Sequence, residues 1–276
     1  MATDAAPRLS ASPAVGPVRR LRRLEPAAIG GVLTRELTVF SRYWLSTTFS
    51  SVVEPTIYLL AFGFGLGALL ADVDGLPYLY FIGTGIVATA VMFSSAFPSL
   101  FGTFVKRRFQ RTYDAILAAP VDTEELVTAE ALWLAARAGV YGTAPLLIAV
   151  LFGLPPSWGM LLVPFIGALT GFGFASFGIF ISGVAKSIDN FNYVISAGLT
   201  PLFLVAGTFF PVDALPAPVA ALSVINPLYH CVELVRAAVF GGATAAAVAG
   251  HIVALIAFGF IMWRLGIARL RARLID

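Results

Sequence analysis

Charged residues are scarce in this chain. Asp, Glu, Lys and Arg together make up 12% of its 276 residues, whereas hydrophobic residues make up 59%. The mean hydropathy is +0.89, far above the balance of a soluble globular protein. This composition excludes an ordinary soluble enzyme and predicts an integral membrane protein. The net charge of +3 indicates no nucleic-acid partner, because the basic residues lie where a membrane protein carries them.

Residues that carry chemistry are also rare. The single cysteine, Cys231, excludes an internal disulfide bond. Neither of the two lysines, Lys106 and Lys186, follows a glycine, so the chain has no GxxxxGKS or GxxxxGKT phosphate loop. His230 and His251 are far apart in the sequence and no HExxH motif is present, which argues against a metal site. We therefore predict no catalytic residue, no metal and no cofactor in this chain.

The chain before the first apolar run has two parts. Residues 1–25 are rich in Ala, Pro and Arg and predict a disordered cytosolic tail without a secretory signal. Residues 26–45 predict an amphipathic helix lying in the membrane interface, with Arg35 and Glu36 away from its apolar face. The apolar residues at helical spacing are Ile29, Val32, Leu33, Leu37 and Phe40. The alternative is a cytosolic helix that packs on its own protein.

Six apolar runs follow, each near the ~20 residues that a helix needs to cross a bilayer. They cover residues 49–71, 78–104, 129–153, 159–184, 192–212 and 245–265. The expected fold class is an all-α integral membrane protein with six transmembrane helices in a domain over residues 49–276. If the N-terminus is inside, 16 of the 18 Lys and Arg residues lie in inner segments. Both termini are therefore expected on the cytoplasmic side.

A polar stretch, residues 106–130, separates the second and third runs. It begins with a basic cluster and ends with acidic residues, in the sequence KRRFQRTYDAILAAPVDTEELVTAE. Tyr113 to Ala119 can form about two helical turns, which Pro120 stops. Asp122 or Thr123 then has the position of an N-cap for the next helix, with acidic residues in its first turn. The stretch predicts a short helix at the membrane surface between two spans.

The segment between the fifth and sixth runs, FFPVDALPAPVAALSVINPLYHCVELVRAAVFGG, is too apolar for a loop and too broken for a span. It predicts a first short helix that ends near Ile225 and a second with Asn226 as its cap and Pro227 at its first position. Glu233 and Arg236 are spaced to pair on the second helix. We expect these helices to re-enter the outer leaflet, and a surface hairpin with a solvated ion pair is the alternative.

Two long motifs resemble the type-2 ABC exporter permeases. FPVDALP followed by NPLYHCVELVR is similar to the signature of that family's extracellular re-entrant helices. RRFQRTYDAILAAPVDTEELVTAEALW is similar to its coupling helix and following span. EPTIYLLAFGFGLG and YLYFIGTGIVA resemble the branch of the nodulation lipo-oligosaccharide exporters. The resemblance covers nearly the whole chain after about residue 28, and the tail before residue 26 matches no pattern of the family.

The resemblance implies a permease subunit of an ABC exporter in the bacterial inner membrane, with no nucleotide site of its own. It would pair with a second copy of itself among membrane lipids, and two separate ATPase subunits would bind the ATP and Mg. The residues implied in coupling to the ATPase are Arg111, Tyr113, Asp114, Ile116, Leu117 and Glu124. The residues implied in an outer re-entrant gate are Asn226, Pro227, Tyr229, Glu233 and Arg236.

The implied substrate is an amphipathic glycolipid, a lipo-oligosaccharide or a hydrophobic drug-like molecule that moves outward. Its path would run between the two permease copies, and aromatic residues of the spans are candidates to line it. These are Tyr58, Phe62, Tyr193, Phe203 and Phe209. No feature of the sequence indicates a number of sugars or an acyl-chain length, so the sequence does not distinguish among these substrates.

Two other functional classes stay open. An ion-coupled secondary transporter needs ionisable groups in its spans, for which Glu54 and Arg137 are the candidates. Glu54 precedes Pro55, a position that fits the structural end of a helix better than an ion site. A non-catalytic membrane scaffold, or an enzyme that acts on lipids, is the second alternative, although no catalytic cluster is visible.

Overall fold

A computed structural model of the chain describes residues 24–70 and 72–274. The predicted disordered tail therefore lies almost wholly outside the described residues. The first helices are α1 (Pro26–Phe40), α2 (Trp44–Gly65), α3 (Tyr78–Phe97), α4 (Thr103–Arg108), α5 (Thr112–Leu117), α6 (Thr123–Gly142) and α7 (Ala144–Leu151). The later ones are α8 (Val163–Val184), α9 (Asn190–Val194), α10 (Thr200–Leu204), α11 (Ala217–Ser223), α12 (Pro227–Phe240) and α13 (Ala245–Leu274).

Short irregular elements join several of these helices. The π-helical turns Pro98–Gly102 and Ile195–Leu199 continue α3 into α4 and α9 into α10. The 3₁₀ helix Trp158–Leu162 leads into α8, and a second one covers Val212–Ala214. The strands β1 (Asp72–Val73) and β2 (Leu76–Pro77) form an antiparallel hairpin, with Asp72 opposite Pro77. The fold is thus almost entirely helical, as the sequence predicts.

Four helical segments of the described chain are long and apolar enough to cross a membrane. They are Tyr78–Arg108, Thr123–Leu151, Trp158–Val184 and Ala245–Leu274. The most apolar stretch of Tyr78–Arg108 is 83% buried, so this segment is the centre of the bundle. The corresponding stretch of Ala245–Leu274 is only 11% buried, so most of its surface is free to face lipid.

The remaining two predicted spans look different in the structure. The first, α2, is a 22-residue helix, but Glu54, Pro55 and several hydroxyl residues interrupt its apolar character. The fifth run is helical from Asn190 only to Leu204, eight residues before the predicted end. The α11–α12 pair is bent by 77° and adds a fifth segment if it is counted as one broken span. The six-span count accordingly remains a prediction.

Close packing of α6 against α8 depends on glycine. A Cβ atom added at Gly171 would lie 2.8 Å from the Cβ of Ala138, and one at Gly167 would lie 3.1 Å from the Cα of Gly139. These small residues let the two helix backbones approach, as small residues do in membrane helix pairs. Gly167 and Gly171 therefore serve close packing of the two helices.

The N-terminal helix is shorter than predicted and packs on its own chain. α1 ends at Phe40, and a turn separates it from α2. Val32 is buried in a cluster with Leu126 of α6, whereas Leu37 is 56% exposed. Glu36, expected on the polar side of the helix, is instead buried. It can be buried because its carboxylate forms an ion pair with Lys106 of α4. Whether α1 also lies in the membrane interface stays a prediction.

Candidate functional site

The polar stretch folds into the short helix α5 and the start of α6. Arg111 adopts a left-handed backbone conformation (φ 50°) and precedes α5, which ends three residues before Pro120. Asp122 caps α6 in a capping box, in which its own N–H donates to Glu125 Oε2 at 2.9 Å. The predicted short helix and the predicted Asp122 cap are confirmed, and both rest on local signals in the sequence.

Four charged side chains from three helices, α1, α4 and α6, meet beside α5. We call them the four-charge network: Arg35, Glu36, Lys106 and Glu130. Lys106 Nζ donates to Glu36 Oε1 at 2.9 Å and to Glu130 Oε1 at 2.8 Å. Arg35 Nη1 lies 2.6 Å from Glu36 Oε1. Two carboxylates therefore face two cations, and this balance permits the side chains of Glu36 and Glu130 to be almost completely buried.

Tyr113 joins α5 to this network. Its hydroxyl donates to Glu130 Oε2, and its ring is fully buried. Burial, and then the adjacent Glu130 carboxylate, raise the pKa of Tyr113 well above its usual value, so the hydroxyl stays protonated and remains a donor. The Tyr113 ring therefore faces inward and holds the helix in place, and the implied role of Tyr113 in coupling stays a prediction.

The outward face of α5 contains only some of the residues implied in coupling. Asp114 is exposed, and Ala115 and Ala118 are exposed beside it. Ile116 and Leu117 are half-buried against the chain's own apolar cluster under α1, so they are only partly available to a partner. Hydrophobicity alone could not reveal this orientation, since a six-residue helix has too few residues to define an apolar face.

The two remaining coupling candidates flank α5. Arg111 is exposed at its N-terminal end. Glu124 lies in the first turn of α6, where its Oε1 is 3.7 Å from Nη1 of Arg271 in α13. A groove of about 430 Å³ lies between α1 and the loop after α5, and Gly31, Ile116 and Pro120 are among the residues that line it.

Aromatic side chains from α2, α3 and the α10 region line a second feature, the aromatic cavity, of about 290 Å³. Tyr58, Phe203 and Phe209 lie on its wall. Phe62 stacks on Tyr58, with ring centroids 6.3 Å apart, and meets the Phe209 ring at 5.0 Å. Four of the five predicted path residues thus come together. Tyr193 does not line this cavity, and its side chain is 77% exposed.

A third cavity, the polar cavity of about 470 Å³, adjoins the aromatic one. Arg35, Glu36, Lys106 and Glu130 line it, so the four-charge network forms part of its wall. The two cavities share three lining residues, Thr47, Pro98 and Arg137. Arg137 donates from Nη2 to the Ser94 carbonyl at 3.3 Å. The predicted ion-coupling candidate Glu54 also lines the aromatic cavity, but it forms no ion pair with Arg137 among the described residues.

The outer helix pair is close to its predicted form. Asn226 caps α12 by accepting from the Leu228 N–H at 3.0 Å, and Pro227 is the first helical residue. Glu233 and Arg236 pair at 3.6 Å, which confirms the predicted contact. α12 ends at Phe240, and the next residue, Gly241, has a φ of +75°, which is favourable for glycine. Re-entry into a membrane is a separate matter and stays a prediction.

Arg236 has more partners than the sequence suggests. Its Nη2 donates to the Gly207 carbonyl at 2.7 Å, and its guanidinium lies 3.9 Å from the centre of the Phe81 ring. Its side chain is 16% exposed, against 35% for Glu233. The pair is therefore neither fully buried nor freely solvated, and the cation rather than the carboxylate is its buried member.

Two histidines distant in sequence also meet in this region. His230 Nδ1 lies 2.8 Å from His251 Nδ1, and His230 Nε2 lies 2.9 Å from the Val224 carbonyl. These contacts tie α12 to α13 beside Tyr229, whose ring packs on both imidazoles. In the described part of the chain, no group of three or more His, Cys, Asp or Glu side chains could hold a metal ion.

Sequence reasoning missed the acidic members of the four-charge network. Glu36 lies one turn after the buried Val32, and Glu130 lies one turn after the buried Leu126. A carboxylate at the helical spacing of buried residues is the signal that could have found both, because such a group must have a partner. The identity of the partner, Lys106, could not follow from spacing.

The comparisons with known proteins agree on one family. The model of the ABC-2 type transporter family matches residues 28–240. Nodulation protein J of Sinorhizobium fredii (strain NBRC 101917 / NGR234) is 35% identical over 250 residues, which cover 89% of this chain and 93% of the relative. Nodulation protein J of Rhizobium meliloti (strain 1021) is 32% identical, with 88% and 92% covered. Inner membrane transport permease YadH of Escherichia coli (strain K12) is 28% identical, with 86% and 94% covered.

Proposed function

The chain belongs to the ABC-2 type transporter family, and we propose that it moves an amphipathic substrate outward with ATP hydrolysed by a separate subunit. The family makes it a multi-pass membrane permease of the ABC exporter type, which outweighs the secondary-transporter and scaffold alternatives. We take the substrate to be a glycolipid or lipo-oligosaccharide, or else a hydrophobic drug-like molecule. The resemblance of EPTIYLLAFGFGLG and YLYFIGTGIVA to the nodulation lipo-oligosaccharide exporters favours the first of these classes.

The observation that carries the proposal is the position of α5. This short helix lies between two spanning segments, and Tyr113 and the four-charge network join it to the ends of both. A force applied to α5 therefore reaches α3 and α6 through buried contacts rather than through a flexible loop. We propose that an ATPase contacts the exposed Asp114, Ala115 and Ala118, and that Arg111 and Glu124 lie at the edges of this contact.

The substrate path uses the aromatic cavity. Tyr58, Phe62, Phe203 and Phe209 offer a continuous apolar wall to an acyl chain or ring system. α2, which carries part of this wall, also has exposed apolar residues such as Phe49 and Ile57. A second copy of the permease that covers this surface would enclose the path, as the resemblance to dimeric exporters implies.

The bent pair α11–α12 would close the path at its outer end. Asn226 Nδ2 donates to the Leu202 carbonyl at 2.6 Å, and Arg236 binds the Gly207 carbonyl, so both residues attach the pair to the segment after α9. A movement of that segment would therefore move α12 as well. We place both termini and α5 on the cytoplasmic side of the bacterial inner membrane, in agreement with the distribution of basic residues.

The test is transport by the assembled complex in vesicles. Ala118→Arg puts a long cation on the exposed face of α5, and Ala272→Arg does the same on an exposed face near the end of α13. We expect Ala118→Arg to reduce ATP-driven export of a fluorescent lipo-oligosaccharide analogue by about tenfold or more, equivalent to ~1.4 kcal/mol of coupling. The control should transport like the unaltered chain, and both variants should keep its unfolding temperature.

Two results would contradict the proposal at different points. Normal export by Ala118→Arg with the ATPase still bound would refute the docking surface on α5. Absence of ATP-dependent movement of any amphiphile by the unaltered complex would refute the exporter function. Ile116 and Leu117 are poor sites for this test, because a carboxylate at either position would disturb the chain's own packing.

A further inference from the structure

Arg137 lies within the spanning segment Thr123–Leu151 with few partners for its charge. Its Nη2 makes one 3.3 Å hydrogen bond to the Ser94 carbonyl, and its Nε is buried without a partner. Among the described residues, no carboxylate lies within ion-pair distance of its guanidinium. A cation at such a position is costly unless it meets an anion or water, so it indicates a functional site.

Arg107, at the end of α4, also lacks a carboxylate partner within the described ranges and donates to the Ser182 carbonyl at 2.8 Å. Two other enclosed cations of the described residues do have carboxylate partners. Lys106 faces two carboxylates, and Arg236 faces Glu233. The network beside Arg137 does not supply its missing anion, because Glu36 and Glu130 are already held by Arg35 and Lys106. Arg137 thus keeps a positive charge that the neighbouring acids do not neutralise, and it keeps guanidinium donors that no protein group uses.

The position of Arg137 between two unlike cavities limits what its ligand can be. On one side is the aromatic cavity, with the rings of Tyr58, Phe203 and Phe209. On the other is the polar cavity, whose wall carries the four-charge network. A molecule that extends from one cavity into the other would have an apolar part among the rings and a polar part in the polar cavity, with Arg137 at the boundary.

We propose that Arg137 binds the phosphate group of an amphiphile whose apolar chain occupies the aromatic cavity. Arginine suits this role because its planar guanidinium offers several donors to phosphate oxygens. The carboxylate of Glu54, which also lines the aromatic cavity, would repel a second anionic group there. The site therefore selects one anionic group at the boundary and a neutral, apolar remainder beyond it.

The biological role of this phosphate site rests on the proposed function. Binding at the site can be tested without it. A phosphate-bearing amphiphile at Arg137 can be either the exported molecule on its way in or a membrane phospholipid that stays in place. The shared chemistry is one phosphate group attached to an apolar chain. Binding can be measured on the full-length permease without the ATPase, so failure of transport and failure of binding are separate results.

The probe is decyl phosphate, measured by native mass spectrometry on the full-length permease in a neutral detergent. We expect saturable binding that Arg137→Gln weakens about tenfold or more and that Arg137→Lys restores in part, since lysine keeps the charge but not the planar set of donors. The matched control is Arg42→Gln, which removes an exposed arginine outside both cavities and should leave binding unchanged. Inorganic phosphate should bind far more weakly than decyl phosphate, since it lacks the apolar chain.

A second variant covers the possibility that Arg137→Gln fails to fold. Thr47→Trp fills the boundary between the cavities without changing any charge, and it should also abolish binding of decyl phosphate. Unchanged binding in a folded Arg137→Gln or Thr47→Trp protein would overturn the proposal. If inorganic phosphate bound as tightly as decyl phosphate, the apolar chain would contribute nothing. The proposal of an amphiphile site would then be wrong, and the site would be a simple anion site.

The assembled complex separates the two sources of the ligand. If the site receives exported molecules, ATP turnover should release bound decyl phosphate from the complex, and phosphatidylglycerol should compete weakly. If the site holds a resident lipid, phosphatidylglycerol should displace decyl phosphate and persist through turnover, whereas phosphatidylcholine should compete less. Both results support phosphate binding at Arg137, and competition by neutral decanol as strong as that by either phosphate would contradict it.

Discussion

The two ends of the central segment Tyr78–Arg108 carry polar junctions of different construction. Near its end, Lys106 joins Glu36 of α1 and Glu130 of α6, whose side chains are 5% and 4% exposed. Near its start, Phe81 receives the guanidinium of Arg236, whose carboxylate partner Glu233 is 35% exposed. The first junction is a closed set of opposite charges. The second is one cation held by a carbonyl, a ring and a partly solvated acid.

This difference indicates at which junction the contacts can separate with a small loss of free energy. Separation of Lys106 from its carboxylates would leave buried charges without partners, and their desolvation is expensive. Movement of α12 away from α3 would separate Arg236 from the Phe81 ring, but the ion pair with Glu233 lies within α12 and would move with that helix. We infer that the four-charge network transmits movement as a fixed connection, whereas the junction at Arg236 permits the outer helices to move.

The largest effect is expected at Lys106. Lys106→Met leaves Glu36 and Glu130 buried without their shared cation, and we expect unfolding in detergent to become easier by about 3–5 kcal/mol. The chain offers a matched control, since Lys186 is its other lysine and is exposed. Lys186→Met should change stability by less than ~0.5 kcal/mol. The measurement is the thermal unfolding temperature of all variants in the same detergent.

A further variant distinguishes lost charge balance from lost packing. If Glu36→Gln and Glu130→Gln are combined with Lys106→Met, no buried ion remains without a partner, and most of the lost stability should return. Equal unfolding temperatures for Lys106→Met and Lys186→Met would mean that water already reaches the network. In that case the contrast between the two junctions would not hold.

A smaller effect is expected at the outer junction. Arg236→Gln loses the charged hydrogen bond to the Gly207 carbonyl and the contact with Phe81, for an expected cost of about 2–3 kcal/mol. Glu233→Gln should cost under ~1 kcal/mol, because this acid is partly solvated. The double variant should resemble Arg236→Gln alone. Thermal unfolding of the three variants is the test, and a Glu233→Gln cost as large as that of Arg236→Gln would show that the pair is buried.

The parts of the fold that the sequence predicts well are those with local causes. Pro120 and Asp122 mark the end of α5 and the start of α6, and Glu233 and Arg236 pair because they are one helical turn apart. Residues that depend on distant contacts could not be placed in this way. Glu36 is 70 residues from Lys106, and nothing in its own helix indicates that partner.

The fifth apolar run shows that the backbone conformation, too, cannot be predicted where it depends on a distant residue. Hydropathy continues through Phe210, so the sequence predicts a span to residue 212, but the helix ends at Leu204. Gly207 then adopts a φ of +81°, and its carbonyl accepts from Arg236 of a later helix. A hydropathy pattern indicates which residues avoid water. It cannot predict the turn at Gly207, because that turn is stabilised by Arg236, nearly 30 positions away.

A loss smaller than that of Arg236→Gln is expected at Asn226, and it tests how the outer helices stay attached to α10. Its Oδ1 caps α12 through the Leu228 N–H, and its Nδ2 donates to the Leu202 carbonyl. Asn226→Ala loses both bonds, with an expected cost of about 1–2 kcal/mol in thermal unfolding, whereas Asn192→Ala at an exposed site should be nearly neutral. Asn226→Asp keeps a side-chain oxygen that can cap α12. It replaces the Nδ2 donor with a carboxylate oxygen, which is repelled by the Leu202 carbonyl. If Asn226→Asp is as stable as the unaltered chain, the cap alone matters and α12 is not tied to α10. If it is as damaging as Asn226→Ala, the attachment to Leu202 is what holds the outer helices in register with the aromatic cavity.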